Sequence, residues 1–241
     1  MKCYVGCSGW QYGHWKGLFY PEDLPRKSWL GFYTQHFNTV EINSTFYHFT
    51  KEKTFQKWYD STPENFMFSV KANRMITHNK KLVGVEELVK EFYKNVSALK
   101  EKLGCILWQL PPSIHMDRDL EKVKNFLDLL DRNFRNVIEF RHKSWFCEEA
   151  YDMLRGKNVA FCCVSAPRLP DDIVSTASFM YVRFHGKNQW YRYNYDHEEL
   201  RHYAEAMRAE KVDEIFCYFN NDFGGYAPEN AMMMKKLLDV Q

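Results

Sequence analysis

A chain of 241 residues, 45% of them hydrophobic and 27% charged, is long enough to bury one substantial core and reads as a single domain over residues 1–241. Its formal net charge of +2 argues against extensive coverage of duplex nucleic acid, and no apolar run is long enough to span a bilayer. Seven cysteines without a C-x-x-C pair read as reduced core thiols and argue against a structural zinc site; the chain enters a strand directly at its start, so the expectation is a cytoplasmic protein with no signal peptide and no membrane contact.

In chain order, Cys3 to Cys7 is a short apolar strand. It opens into a loop rich in glycine and aromatics, Ser8 to Gly17. Trp29, Leu30, Tyr33 and Phe37 recur at helical spacing. Thr39 to Asn43 is the second strand, followed by a loop with Phe46, Tyr47 and His48 and a short helix around Phe55 to Tyr59. Asn65 to Lys71 is the third strand. A long helix then carries Leu88, Phe92, Val96, Leu99 and Leu103 on one face, with Gly104 expected to end it. Cys105 to Gln109, stopped by Pro111-Pro112, is the fourth strand, and the next helix places Leu120, Val123, Leu127 and Leu130 on its buried face. The fifth strand spans 137–142, the sixth 159–164, the seventh 179–185 and the eighth 214–219. Helices near 148–154, 200–207 and 229–238 complete the pattern. Eight strands alternating with mostly helical connections, at about thirty residues per unit, predict a (β/α)8 TIM barrel. An open doubly wound sheet is the runner-up, but the first turn lacks its G-x-G-x-x-G fingerprint.

Side chains alternate faces along a strand, so the parity of the polar residues is informative. One face of each strand turns polar at its C-terminal end: Glu41 and Asn43, Ser69 and Lys71, Gln109, Glu139 and Arg141, Ser165, Arg183 and His185, Asn220 and Asp222, with Ser8 as a further candidate. Barrels of this class collect their catalytic and binding groups at that end. The charges nearly balance, Lys71, Arg141 and Arg183 against Glu41, Glu139 and Asp222, so a ring of salt bridges that satisfy one another is the competing explanation.

Three chemistries fit the set. The three cations can hold a phosphate or carboxylate, arginine through its planar fork. Glu41 and Glu139 can act as general acid and base, the pattern of paired carboxylates in glycoside hydrolysis. Glu41, Glu139, His185 and Asp222 can bind a divalent metal, the weakest reading because no H-x-H or H-E-x-x-H spacing accompanies them. His142, of opposite parity to Arg141, belongs at the rim. Aromatics follow the strands, Trp10, Tyr12 and Trp15, then Phe46 and Tyr47, then Trp190, Tyr191, Tyr193 and Tyr195. Lys16, His14, His48, Lys187 and Arg192 interleave with them. Aromatic faces beside cations suit sugars or nucleobases.

Several blocks together carry a family resemblance. Cys7-Ser8-Gly9-Trp10, Trp15 to Pro21, Thr39 to Tyr47, Lys102-Leu103-Gly104, Gln109 to Pro112, Glu139 to Trp145, Tyr181 to Gly186, Tyr218 to Asp222 and Ala227 to Ala231 resemble the DUF72 (YecE-like) family over nearly the whole chain. The resemblance implies a TIM barrel and assigns no activity. At the level of fold alone the chain is also similar to metal-using barrels of the endonuclease IV and xylose isomerase group, whose histidine-rich cluster is not visible here.

The expectation is therefore an enzyme, hydrolase- or lyase-like, acting at the barrel mouth on a phosphate-bearing substrate, a nucleotide or nucleic-acid fragment. Glu41, Glu139 and His185 are the catalytic candidates. Asn43, Lys71, Gln109, Arg141, Arg183, Asn220, Asp222, Trp10, Tyr47 and Trp190 are the binding candidates. No metal ligand is assigned, the cofactor is left open with a divalent metal as the weak option, and no protein partner is inferable. The alternatives are a non-catalytic nucleic-acid or sugar binding module and a sugar-processing enzyme using the paired carboxylates.

Overall fold

The computed structural model describes residues 1–240. Its eight strands are β1 (Lys2–Cys7), β2 (Thr39–Ile42), β3 (Met67–Lys71), β4 (Leu103–Gln109), β5 (Asn136–Glu139), β6 (Ala160–Ser165), β7 (Phe179–Phe184) and β8 (Glu214–Phe219). All pair in parallel, in the order β1-β8-β7-β6-β5-β4-β3-β2. The β1–β2 seam has no backbone ladder, and side chains close it. Asn38 accepts from the Val5 N–H at 3.1 Å and donates to the Cys3 carbonyl at 3.0 Å. The Tyr33 hydroxyl accepts from the Cys7 N–H at 2.8 Å and donates to the Thr39 carbonyl at 3.0 Å. Gly6 permits this approach, since a Cβ there would lie 2.1 Å from the Thr39 carbonyl oxygen. The outcome is a (β/α)8 barrel.

Helix α1 (Trp29–Tyr33) lies outside the barrel, the short α2 (Ser44–Tyr47) sits at its mouth, and α3 (Glu52–Asp60), α4 (Glu86–Val96), α5 (Met116–Asp128), α6 (Glu148–Arg155), α7 (His197–Ala209) and α8 (Tyr226–Leu237) cover the outside. Asp196 and Glu199 form a reciprocal capping box at the start of α7, which then buries Leu200, Tyr203, Ala204 and Met207. The helix expected to run through Leu103 is shorter. α4 stops at Val96, a 3-10 segment follows over Ser97–Lys102, and Leu103 and Gly104 open β4. Lys100 sits at φ 49°, which no continuous helix accommodates. Gly104 serves packing rather than a helix end, because a Cβ there would stand 2.8 Å from the Phe216 ring. The buried face of α4 is Val89, Phe92, Tyr93 and Val96, with Leu88 only half-buried. Between β6 and β7 no α-helix forms. Pro167 and Pro170 interrupt that stretch, and Thr176 ties it to β6 by accepting from the Phe161 N–H and donating to the Val159 carbonyl, both at 2.7 Å.

Inside the barrel, the base is apolar, with Leu107, Val137, Cys162 and Phe216 in one cluster. One tier higher the Tyr218 hydroxyl lies 2.7 Å from both the Thr39 and Ser69 hydroxyls. Ile138, Phe140, Trp108 and Cys163 face outward into the larger core under the helices. Ser165 also faces outward, contrary to its expected place in the polar ring, and meets the Tyr195 and Tyr203 hydroxyls at 2.9 and 3.0 Å. All seven cysteines are free thiols, and among the described residues no helix is long and apolar enough to cross a membrane.

Candidate active site

The polar ring occupies the C-terminal end of the strands in two layers. The deep layer is centred on Arg183, whose side chain projects inward from β7. Its Nη1 donates to Glu139 Oε2 and its Nη2 to Glu41 Oε1, both at 2.6 Å. Glu41 also accepts from Ser8 at 2.7 Å, from Tyr181 at 2.7 Å and from Asn43 at 3.2 Å. Glu139 Oε1 lies 2.5 Å from Arg141 Nε, close enough for an ion pair although the N–H is not aligned as a hydrogen bond. His185 Nε2 lies 3.2 Å from Glu139 Oε1 and 3.1 Å from Arg141 Nη2, while Asn220 Nδ2 meets its Nδ1 at 3.1 Å. One proton placement joins the imidazole to both Glu139 and Asn220: Nε2–H donates to Glu139 and Nδ1 accepts from Asn220, which leaves Arg141 Nη2 a close neighbour of Nε2 and not its hydrogen-bond donor.

Glu41, Glu139, Arg183 and His185 are closed to solvent. Burial works against the charge on Glu139, but Arg141 and Arg183, with His185, outweigh it and hold its carboxyl well below the usual range. Burial, reinforced by Arg141 and Arg183, keeps His185 neutral to well below its ordinary value, with Glu139 opposing. This layer is a buried ion-pair network in which each carboxylate has at least one cation.

The front layer lines a cleft of about 450 Å³. Lys71 reaches it from the end of β3. Its Nζ lies 4.1 Å from the centroid of the Phe46 ring, and among the described residues no carboxylate pairs with it. Burial, together with Arg183 and Arg141, pulls the amine down to about 7 against the opposing pull of Glu139 and Glu41. Arg141 lies over the Trp190 ring at 4.8 Å, and its Nη1 has no protein partner among the described residues. Across the cleft, Asp222 accepts from Trp15 Nε1 at 2.6 Å and pairs with His14 Nε2 at 2.9 Å. Burial pushes the Asp222 carboxyl up to about 6 despite these two partners.

Of the residues singled out from the sequence, Asn43, Tyr47, Lys71, Arg141, Arg183, Asn220 and Asp222 line the cleft. Glu41, Glu139 and His185 lie behind its surface. Gln109 pairs in register with Glu139 but does not line it, and Trp190 supports Arg141 from the side. Trp10 is not brought to the cleft: it packs edge-on against Trp58 beside a separate groove. Tyr12, His14, Tyr191 and Phe223 complete the lining without having been chosen as site residues. They sit in loops, where no periodicity reports orientation. Tyr181 also joins the deep layer, and its parity with Arg183, two residues on, is the sequence signal for that placement. Among the described residues, no group of three or more His, Cys, Asp or Glu side chains is arranged to hold a metal ion.

A profile of the family described as "Protein of unknown function DUF72" matches residues 4–241. The chain belongs to the DUF72 family. It is similar to the UPF0759 protein YunF of Bacillus subtilis, 26% identical over 99% of this chain and 95% of that one. It is also similar to the UPF0759 protein YecE of Escherichia coli, 32% identical over 64% of this chain and 54% of that one. The crystal structure of a DUF72 family protein from Thermotoga maritima superposes with a TM-score of 0.89 at 32% identity, covering 99% of this chain and 100% of the other. In this DUF72 barrel the deep layer is electrostatically closed, and the front layer presents an amine, a guanidinium edge, two amides and a carboxyl–imidazole pair to one cleft. Such a set can bind an anion and exchange protons with it.

Proposed function

We propose that the chain is an enzyme that binds a small phosphate-bearing substrate, a nucleotide or nucleic-acid fragment, in the mouth cleft and moves a proton there. The observation that carries this reading is Lys71, the ring cation without a carboxylate partner among the described residues, in a cleft it shares with Arg141. Arg141 offers its unpartnered Nη1 to a phosphate oxygen, and Glu139 and Trp190 hold the guanidinium in place. Asn43 and Asn220 orient the bound group. Tyr12, Tyr47, Tyr191 and Phe223 supply ring faces for a base or sugar, with Tyr47 and Phe223 64% and 65% exposed.

The proton carriers in this reading are Lys71 and Asp222, brought to about 7 and about 6. Glu41 and Glu139 act through Arg183 and Arg141 as a fixed plate behind the cleft, since both carboxylates are closed to solvent and engaged. The chemistry that suits the set is hydrolase- or lyase-like. The exposed rim aromatics, with the Arg192 guanidinium 3.7 Å over Phe223, favour a second reading as a nucleic-acid strand binder without turnover. Thermal shift with inorganic phosphate and with nucleoside monophosphates tests the first. Stabilisation by both that disappears in Arg141→Met is the expected result, and no stabilisation by either overturns it.

A further inference from the structure

The lysines of this chain fall into two kinds. Most with a defined contact are spent on acceptors. Lys102, the most buried, donates at 2.7 Å to the carbonyls of both Tyr59 and Thr62, and Lys235 donates to the His36 carbonyl at 2.8 Å. Lys51, Lys90, Lys122, Lys124 and Lys187 each pair with a carboxylate. Lys71 is different. It is half-buried at the end of β3, its amine lies over the Phe46 ring, and His78 packs edge-on against that same ring at 4.9 Å. Two guanidiniums, Arg183 and Arg141, share the cleft with it. An ammonium in such a place lacks the acceptors it needs and is repelled by its cationic neighbours, so the neutral amine with its free lone pair is far more accessible than in an ordinary lysine.

We propose that Lys71 is a nucleophilic amine that forms an imine with the carbonyl carbon of an aldehyde or ketone whose phosphate is seated on Arg141. This deepens the reading given above and rests on its anion seat. The Nζ lone pair attacks the carbonyl carbon, a C–N bond forms, and the C=O π pair moves to oxygen, which takes a proton to give a carbinolamine. Nitrogen then loses its proton, the hydroxyl takes another, and water leaves as the C=N bond closes. The net change is amine plus carbonyl to imine plus water, with no oxidant or reductant. Asp222 faces the same cleft and is raised to about 6, which lets it lend the proton that water carries away. An amine lowered to about 7 is about half neutral at pH 7, roughly a thousandfold more than an ordinary lysine.

The test uses the full chain, dihydroxyacetone phosphate as the probe and sodium borohydride at pH 7 to reduce any imine to a stable secondary amine. Peptide mass mapping then locates the label. Lys71 is expected to carry at least about tenfold more label than the mean of the other lysines. Inorganic phosphate should suppress this label, and phosphate-free dihydroxyacetone should give less of it. Lys71→Arg should leave the other lysines unchanged and add no new site. If Lys71→Arg fails to fold, the wild-type map alone still decides. Arg141-dependent binding of inorganic phosphate with no enrichment at Lys71 overturns the imine and leaves the anion seat standing. No phosphate binding at all overturns the seat and the imine together.

Discussion

Arg183 Nη1 lies 2.6 Å from Glu139 Oε2 in a part of the barrel closed to solvent, and the neighbouring Nη2 makes the same contact with Glu41. A single guanidinium thus bridges two carboxylates that arrive from strands three apart in the barrel, β5 and β2. Removing it leaves Glu41 without a cation and Glu139 with Arg141 alone. Arg183→Met should destabilise the protein by about 3–5 kcal/mol in chemical denaturation, the cost typical of breaking a buried ion pair by deleting one partner. A loss well under 1 kcal/mol would mean that water already screens the pair.

Acid should weaken the fold in two steps. The folded state keeps His185 neutral to well below its ordinary 6.5, whereas the unfolded chain takes up a proton near 6.5, so its contribution is present above that pH and is lost as pH falls below it. Glu139 is depressed in the folded state, so its contribution is present above about 4.5 and is lost as pH falls towards the folded value. Asp222, raised to about 6 from 3.8, opposes the first step, because its burial penalty is relieved as pH falls through that interval. Asp222→Asn should therefore steepen the loss of stability between pH 6 and 4, and His185→Gln should flatten it. Equal slopes in denaturation series on all three proteins would contradict these placements.

Lys71 should act at the other end of the scale. Below about 7 both folded and unfolded states are protonated and the cost of the half-buried charge is present in full. Above 7 the folded state sheds the proton while the unfolded chain keeps it to about 10.5, so stability rises with pH across that interval, by at most about 1.4 kcal/mol per pH unit. Lys71→Met should abolish the rise. Measurements should stay below pH 9, where Cys7, Cys105, Cys162 and Cys217, raised above 9.0 by burial, begin to pull the other way.

The barrel was legible because its signals are periodic and short-range. The β8 bounds and the buried face of α7 follow directly from alternation and helical spacing, and inward parity correctly groups Glu41, Glu139 and Arg183. The α4 error arose where leucine spacing carried on past Val96 through a 3-10 turn, which preserves a roughly similar repeat without being the same helix. Ser165 was misplaced because a strand-end hydroxyl reads alike on either face unless the inward register of β6, Ala160, Cys162 and Val164, is counted from the start. Which charges pair is a different kind of information. Nothing in the order of residues tells that Arg183 is shared by both glutamates while Lys71 is left to the cleft, because that depends on how strands distant in sequence stagger around the barrel. Tyr12, His14 and Tyr191 are legible only as part of the aromatic and cationic loops, and Phe223 not at all, because no periodicity reports where a loop side chain points.

Calorimetric titration of inorganic phosphate into the wild-type chain and into Arg141→Met tests the anion seat most directly. The wild type should bind one phosphate, and Arg141→Met, with its fold confirmed by thermal denaturation, should bind at least about tenfold more weakly, a loss of about 1.4 kcal/mol. Binding of equal strength in the two proteins, or no binding heat in the wild type across several temperatures, would contradict a phosphate seat at the mouth of this barrel.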